Sequence, residues 1–172
     1  TSAAKEIVAD MANSIVRNPN ALVWLTHLKQ RDNYTAIHSM NVCIISLAFA
    51  RSCGFPVEQL KTIGMGALLH DIGKKKVPDE ILNKPGKLTE EEFGIMKKHP
   101  TYGYELLKND KHVSADSLDI VLSHHEHTNG SGYPNALTEH EIKPLTRIVC
   151  IVDVYDAVTS GRVYHNAMTP HD

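Results

Sequence analysis

Histidines and aspartates interrupt the apolar stripes of the helices predicted for this chain, and that pattern restricts the fold more than any other feature. His38 precedes Val42 and Ile45 by four and seven residues, so the three side chains share one helix face. Asp153 lies within the apolar run IVCIVDVYDAV, where its carboxylate is expected to be buried. A buried carboxylate needs a hydrogen-bonding partner or a metal ion. We therefore expect polar groups from different helices to meet in the core.

The same arrangement recurs at the inner ends of further predicted helices. Taken singly, each histidine is more readily explained as a hydrogen-bonded core residue, and Asp153 as the partner of Arg147 or Arg162. The joint pattern favours ions, because few cores would tolerate so many ionisable groups without one. The full set has five imidazoles and two carboxylates: His38, His70, Asp71, His99, His124, His125 and Asp153.

The types of ligand in this set indicate the class of metal. Imidazoles and carboxylates without thiolates suit borderline divalent metals such as iron, manganese, zinc, cobalt or nickel, rather than calcium. The set is too large for one tetrahedral ion. It is about right for two ions ~3.5–4 Å apart that share a carboxylate and a water, an arrangement used in the metal-assisted hydrolysis of phosphates.

Helical periodicity runs through most of the sequence, and the predicted fold class is therefore an all-α bundle. The run LTRIVCIVDVYDAV would also suit a buried strand, but its length and the lack of a partner strand favour a helix. Thr89 and Glu92 have the spacing of a capping box, and Thr138 and Glu141 repeat that spacing before Pro144. The expected helices cover about 3–17, 20–30, 34–53, 57–70, one turn at 80–82, a segment from 89 that Pro100 interrupts or bends, 101–108, 114–125 and 145–158.

Size, charge and cysteine content exclude several classes of protein. A chain of 172 residues suits one domain, and its formal net charge of −2 argues against a general binder of DNA, RNA or membrane surfaces. No apolar run reaches the ~18 residues of a membrane span, and residues 1–30 lack the features of a signal peptide. Cys43, Cys53 and Cys150 form no CxxC pair, which fits a reducing compartment. We expect a cytoplasmic protein without a membrane segment.

Motifs of a known family accompany these residues. LLHDIGK at 68–74 resembles the signature of the HD phosphohydrolase superfamily, and HHE followed by GSGYP at 124–134 resembles its HD-GYP branch. The resemblance extends over most of the chain from Tyr34 onward. Further similar segments are YTAIHS at 34–39, VPDEILNKPGKLTEEE at 77–92, KKHPTYG at 97–103 and DVYDAVTSGRVY at 153–164.

The resemblance implies an HD-superfamily helical bundle with a metal centre in its core. It also implies a bacterial cyclic di-GMP phosphodiesterase that forms linear pGpG, and in some members GMP, with two divalent ions per chain, iron or manganese. By analogy with the family, His38, His70, Asp71 and Asp153 would hold one ion. His99, His124 and His125 would hold the second, and Asp71 would bridge the two.

Asp71 and Lys74 are the residues for which the resemblance implies a catalytic role. Two bound ions would lower the pKa of a shared water to about 7, giving a bimetallic hydroxide that attacks phosphorus. The charge of Lys74 would suit a scissile phosphate oxygen or a carboxylate such as Asp156. For Glu126, a solvated position at a helix end is an open alternative. A further group of residues is expected either to contact the substrate or to hydrogen-bond to the metal ligands and hold them in place. These residues are Lys74, Glu126, Gly132, Tyr133, Pro134, Asp156 and Arg162.

The sequence departs from the family pattern at three places. Tyr34 stands where some members have a glutamate that holds a third metal, so two metals are expected here. His127 and Asn129 replace a basic residue and an aspartate in the GYP loop. The common RPYR motif becomes RVYH at 162–165. None of these changes affects an expected metal ligand.

Three functions fit the sequence. The first is hydrolysis of cyclic di-GMP, and the second is the same reaction on another cyclic dinucleotide such as cyclic GMP-AMP. The altered loop at His127 and Asn129 also leaves open a catalytically weak module that senses metal or nucleotide, although the intact ligand set argues against it.

The domain organisation is expected to be simple. Residues 1–172 form one HD-GYP domain, with N-terminal helices at about 1–30 and a motif-bearing core at 34–165, excised from a longer protein with an upstream regulatory domain. The family also suggests a contact between the GYP loop and a diguanylate cyclase domain.

Overall fold

The computed structural model describes residues 2–17 and 34–159, and all the regular secondary structure within these ranges is helical. One isolated antiparallel bridge, between Asn129 and Thr138, is the only β pairing there. A 3₁₀ helix at Ile72–Lys76 follows the third α-helix. The α-helices are α1 Ser2–Arg17, α2 Tyr34–Ser52, α3 Val57–Leu69, α4 Asp79–Leu82, α5 Glu90–Met96, α6 His99–Leu107, α7 Ala115–Ser123 and α8 Pro144–Thr159.

The predicted all-α fold class is thus confirmed, and the run 145–158 is helical as expected. The helix expected at 20–30 lies outside the described residues. None of the helices in 2–17 and 34–159 is long and apolar enough to cross a bilayer.

Helix α3 is the central element of the bundle. It packs against α1, α2, α7 and α8, and α2 also packs against α8. Two glycines of α3 let neighbouring helices approach closely. A Cβ at Gly64 would lie 2.7 Å from Cγ1 of Val8, and a Cβ at Gly66 would lie 2.7 Å from Cβ of Ile120. Because α3 lies this deep, the residues that follow Leu69 enter the interior of the molecule.

Local signals set the ends of the shorter helices. The Thr89 hydroxyl accepts a hydrogen bond from the Glu92 amide at 3.2 Å, and the Glu92 carboxylate accepts one from the Thr89 amide at 2.7 Å. This capping box starts α5 as predicted. Pro100 lies in the first turn of α6, where its missing N–H costs nothing, so it marks a new helix. The chain therefore turns between α5 and α6, and His99 is the first residue of α6.

The second capping pattern does not start a helix. The Glu141 carboxylate accepts hydrogen bonds from the Thr138 amide at 2.9 Å and the Thr138 hydroxyl at 2.7 Å, but the segment is a turn. Pro144 gives the physical reason, since a proline disfavours helical backbone at the residue before it. The next helix, α8, begins at Pro144 itself.

Candidate metal centre

The expected metal ligands come from five helices and meet in one buried cluster. His38 lies near the start of α2, and Asp153 lies in the third turn of α8. The remaining ligands lie at helix ends: His70 and Asp71 follow α3, His99 begins α6, and His124 and His125 follow α7. Six of them are at most 7% exposed, whereas the His125 side chain is 27% exposed.

Asp71 lies at the middle of the cluster. Its Oδ1 is 3.3 Å from Nε2 of His99 and 4.0 Å from Nε2 of His124. Its Oδ2 is 3.4 Å from Nε2 of His70 and 4.0 Å from Nε2 of His38. Each carboxylate oxygen therefore faces a different pair of imidazoles, as a carboxylate shared between two ions would.

Asp153 reaches the cluster from α8. Its Oδ1 is 2.9 Å from Nε2 of His38 and 3.8 Å from Nε2 of His70, and its Oδ2 is 3.8 Å from Nδ1 of His125. The arginine considered as its partner, Arg147, instead donates to the carbonyls of Glu139 and Ile142. Among the described residues, the contacts of Asp153 are thus those of a cluster member and not of a salt bridge to arginine.

Three sets of ligand atoms lie close enough together to hold an ion, with all atoms of a set within 4.8 Å of one another. Two of these sets share Asp71: one is the expected second half with Asp71, and the other is the expected first half without Asp153. The third set combines His70 and His124, one from each half, with Asp153. The sets are Asp71, His99, His124 and His125; His38, His70 and Asp71; and His70, His124 and Asp153.

Backbone carbonyls orient three of the imidazoles. Nδ1 of His70, His99 and His124 lies 2.7, 2.8 and 2.9 Å from the carbonyl oxygen three residues earlier in the chain. A ring nitrogen that close to a carbonyl carries a proton, so Nε2 is the ring nitrogen of each histidine that faces the cluster. The tautomer that ligates metal is thereby selected by the helix ends themselves.

His38 is oriented by a carboxylate. Its Nδ1 lies 2.7 Å from Oδ2 of Asp156, and the Asn41 amide donates to Oδ1 of Asp156 at 3.2 Å. Asp156 therefore lies behind His38, one of the expected ligands. The carboxylate beside Lys74 is that of Asp71, with the ammonium 2.6 Å from Oδ2. Sequence reasoning missed Asn41, whose only signal is its spacing of three residues from His38 on α2.

Two buried atoms of the cluster have no hydrogen-bonding partner among residues 2–17 and 34–159, namely Nε2 of His70 and Oδ1 of Asp71. An unsatisfied buried polar group costs about 1–3 kcal/mol. Each of the two atoms can offer a lone pair to a cation, and a metal ion between them would satisfy both. The residues present therefore fit a divalent metal.

Electrostatics keep the carboxylates and two of the imidazoles in ligating form. Burial opposes ionisation of Asp71, but the charges of His70 and Lys74 hold its pKa well below the usual range. Burial lowers the pKa of His124 strongly and that of His125 to about 4. At neutral pH the carboxylate is thus ionised and these imidazoles are neutral, the forms that bind a divalent ion.

His38 differs from these two imidazoles. Burial lowers its pKa, but hydrogen bonds to Asp153 and Asp156 outweigh burial and raise the pKa to about 9. A proton on Nε2 satisfies the short contact to Asp153, and a metal bound there would replace that proton.

Glu126 organises the loop that follows the paired histidines. Its side chain is buried, with Oε1 accepting from the Asn135 amide at 2.6 Å and Oε2 from the Leu137 amide at 2.9 Å. The solvated position considered for Glu126 was wrong, because the side chain is buried and its hydrogen bonds hold the loop backbone. Its amide partners lie nine and eleven residues further along the chain, so no local sequence pattern predicts these hydrogen bonds.

The later part of this loop packs closely on the backbone of residues 125–127. A Cβ at Gly132 would lie 2.3 Å from the His127 amide nitrogen, so only glycine fits there. The Tyr133 amide donates to the His125 carbonyl at 3.2 Å, and the Tyr133 ring lies 4.8 Å from the His125 ring between centroids. Pro134 is exposed. Arg162 and the RVYH segment lie outside the described residues.

This geometry agrees with comparisons to known proteins. A sequence model described as "HD domain" matches residues 12–172, nearly the whole chain. The chain belongs to the HD domain family. The family resemblance that the motifs indicated is thereby confirmed.

Curated relatives of this HD domain are longer proteins. A cyclic di-GMP phosphodiesterase of Pseudomonas aeruginosa is 46% identical over 164 residues, which cover 95% of this chain and 40% of that protein. A 3′3′-cGAMP-specific phosphodiesterase of Vibrio cholerae is 35% identical over 167 residues, covering 96% of this chain and 30% of that protein. The HD domain thus spans well under half the length of these relatives.

A solved structure has the same fold. An HDG"Y"P protein from Bdellovibrio bacteriovorus matches the HD domain with a TM-score of 0.79 and 28% identity, over 90% of this chain and 50% of that one.

Proposed function

We propose that this HD domain is a metal-dependent phosphodiesterase that hydrolyses cyclic di-GMP to linear pGpG. The observation that carries the proposal is the Asp71 carboxylate. Its two oxygens face imidazoles from four helices, and Oδ1 is buried with no hydrogen-bonding partner in the described part of the chain. The relative named for cyclic di-GMP, at 46% identity, supports the choice of substrate.

The proposal includes two metal ions, iron or manganese, held by His38, His70, Asp71 and Asp153 on one side and by Asp71, His99, His124 and His125 on the other. The sharing of Asp71 between two of the candidate sets supports the count. The mixed imidazole and carboxylate donors support the class of metal. When bound, the ions would supply Lewis-acid polarisation of a phosphoryl oxygen and of the attacking water.

The chain itself contributes orientation and charge. Backbone carbonyls accept hydrogen bonds from His70, His99 and His124. These rings are therefore oriented towards the cluster before a metal ion or substrate binds. Lys74 lies at the rim of the cluster with its side chain 26% exposed, so its ammonium can pair with a phosphoryl oxygen while it stays beside Asp71. Tyr133 covers one side of His125 and limits the access of water there.

Chromatography of the products tests this function. The manganese-loaded chain should convert cyclic di-GMP to pGpG. Asp71→Asn, which keeps the shape of the side chain but removes its charge, should lower the rate at least 100-fold. Asp10→Asn, a matched change at an exposed position of α1, should leave the rate unchanged. Bound metal without hydrolysis of any cyclic dinucleotide would exclude the enzyme and favour a sensing module.

A second substrate is supported by the Vibrio cholerae relative, which is named for 3′3′-cGAMP. The ratio of kcat/KM for cyclic di-GMP and cyclic GMP-AMP, measured on one preparation, decides between them. We expect the ratio to favour cyclic di-GMP, since the relative with 46% identity carries that name. A ratio that favours cyclic GMP-AMP by tenfold or more would reassign the substrate and leave the chemistry unchanged.

We further propose that the domain acts in the cytoplasm within a longer protein that carries a regulatory domain, with the GYP loop as a contact for a diguanylate cyclase. The free thiols of Cys43, Cys53 and Cys150 support a reducing compartment. The share of the relatives that the chain covers, 40% and 30%, supports additional domains.

A further inference from the structure

An aromatic surface continues outward from the cluster. The ring of Phe93 on α5 meets the ring of Tyr133 edge to face, with centroids 6.5 Å apart and planes at 82°. The Lys97 ammonium lies 4.7 Å from the Phe93 centroid and 5.6 Å from the Tyr133 centroid. We call Phe93, Lys97 and Tyr133 the aromatic ledge.

The aromatic ledge is joined to the cluster through one ring contact. Tyr133 lies 4.8 Å from His125, a member of the cluster, and Glu126 fixes the loop that carries Tyr133. In a nucleotide, a single ribose separates the phosphate from the base. A nucleotide with its phosphate at the cluster would therefore have its base one ribose away. The aromatic ledge is therefore within reach of a base of the nucleotide that the cluster would cleave.

Local helix packing does not account for the aromatic ledge by itself. Phe93 and Lys97 are four residues apart on consecutive turns, so their contact alone would be an ordinary pairing along a helix. The edge contact to Tyr133, however, comes from a loop forty residues later in the chain, and Phe93 is still 43% exposed. The ring is thus held in place on one side and open to solvent on another, beside a cation.

We propose that the aromatic ledge binds a purine base of the cyclic dinucleotide by stacking on Phe93, with the Lys97 ammonium pairing with a phosphate. The proposal rests on the proposed function and identifies where that substrate gains affinity. Stacking on an aromatic side chain tolerates any base, because every base has a π-face. The aromatic ledge should therefore strengthen binding without choosing between guanine and adenine.

The variant Phe93→Leu tests the stacking. It should raise KM about tenfold, the factor that corresponds to about 1.4 kcal/mol, with kcat within about twofold of the parent. The rise should be the same for cyclic di-GMP and cyclic GMP-AMP. Phe49→Leu is the matched control, since Phe49 is 40% exposed on α2 and lies more than two turns beyond His38. It should leave both constants unchanged.

The charge of Lys97 is tested by Lys97→Met, with Lys98→Met as the control at the next exposed lysine. The first change should raise KM and weaken the dependence of KM on salt, and the second should do neither.

Calorimetric binding of cyclic di-GMP to the metal-loaded parent and to Phe93→Leu separates this inference from the proposed function. Tenfold weaker binding by Phe93→Leu supports the aromatic ledge even if the parent proves unable to hydrolyse the nucleotide. Equal behaviour of Phe93→Leu and Phe49→Leu in both KM and binding would overturn it. So would a shift confined to one of the two dinucleotides, because stacking alone cannot produce it. A parent that neither binds nor hydrolyses either dinucleotide would contradict both proposals.

Discussion

Single residues of the cluster were predictable because they break a pattern. A histidine or aspartate in an apolar helical stripe is visible in a sequence, and every member of the expected set described by the structure is found in one cluster. Their partners were much less visible. The carbonyls that orient His70, His99 and His124 belong to the residues Ala67, Met96 and Val121, and any residue has a carbonyl.

The contact behind His38 gives the first prediction at the residue scale. Asp156→Asn should weaken metal binding about 10–100-fold, because an amide holds the Nδ1 proton of His38 less strongly than a carboxylate does. Competition with a chelator of known affinity measures the effect. Asp119→Asn is the control, since Asp119 is another aspartate that links two helices, α7 and α8, but it pairs with Thr146 and Lys143 and not with a histidine of the cluster. Equal affinity in the two variants would contradict the role of Asp156.

Gly132 gives a second prediction at this scale. Gly132→Ala should destabilise the protein by about 1–3 kcal/mol, because the added Cβ meets the backbone of residues 125–127 at 2.3–2.6 Å. The free energy of unfolding in urea measures the effect. Gly94→Ala on α5, where a Cβ would meet nothing within 4 Å, should be neutral or slightly stabilising. A stable Gly132→Ala would show that the loop is not packed as described.

At the scale of elements, the sequence predicted helices well and the connection after the paired histidines poorly. Helix α8 and the capping box of α5 have strong local signals. The Thr138 and Glu141 pattern has the same signal, yet Pro144 follows too soon for a helix to form. The loop depends instead on the buried Glu126 carboxylate and amides far along the chain. Such contacts depend on the fold and not on neighbouring residues.

The loop gives the prediction that belongs to this scale. Glu126→Gln should raise KM and lower the free energy of unfolding by about 1–3 kcal/mol, because one loop amide loses its acceptor in the interior. Metal content should stay at the parent level, since Glu126 touches no ligand. Glu141→Gln, a matched change on the same loop at an exposed carboxylate, should have little effect. Loss of metal from Glu126→Gln would mean that Glu126 supports the ligands directly.

At the scale of the whole molecule, the cluster depends on how deeply α3 is buried. Gly64 and Gly66 let α1 and α7 approach α3, and the chain then delivers His70 and Asp71 to the point where α2, α6, α7 and α8 meet. The sequence predicted the helical class and the family, but it did not contain the distances that allow one carboxylate to face two groups of imidazoles. Those distances come from packing.

The central claim is that Asp71 is shared by two metal ions, and counting metal tests it most directly. Metal per chain should be measured by mass spectrometry after anaerobic purification and manganese loading, for the parent, Asp71→Asn and His99→Asn. The account predicts about two ions in the parent, about one in His99→Asn, which alters a single candidate set, and fewer than one in Asp71→Asn. Two ions retained by Asp71→Asn, or a parent that never holds more than one, would contradict it.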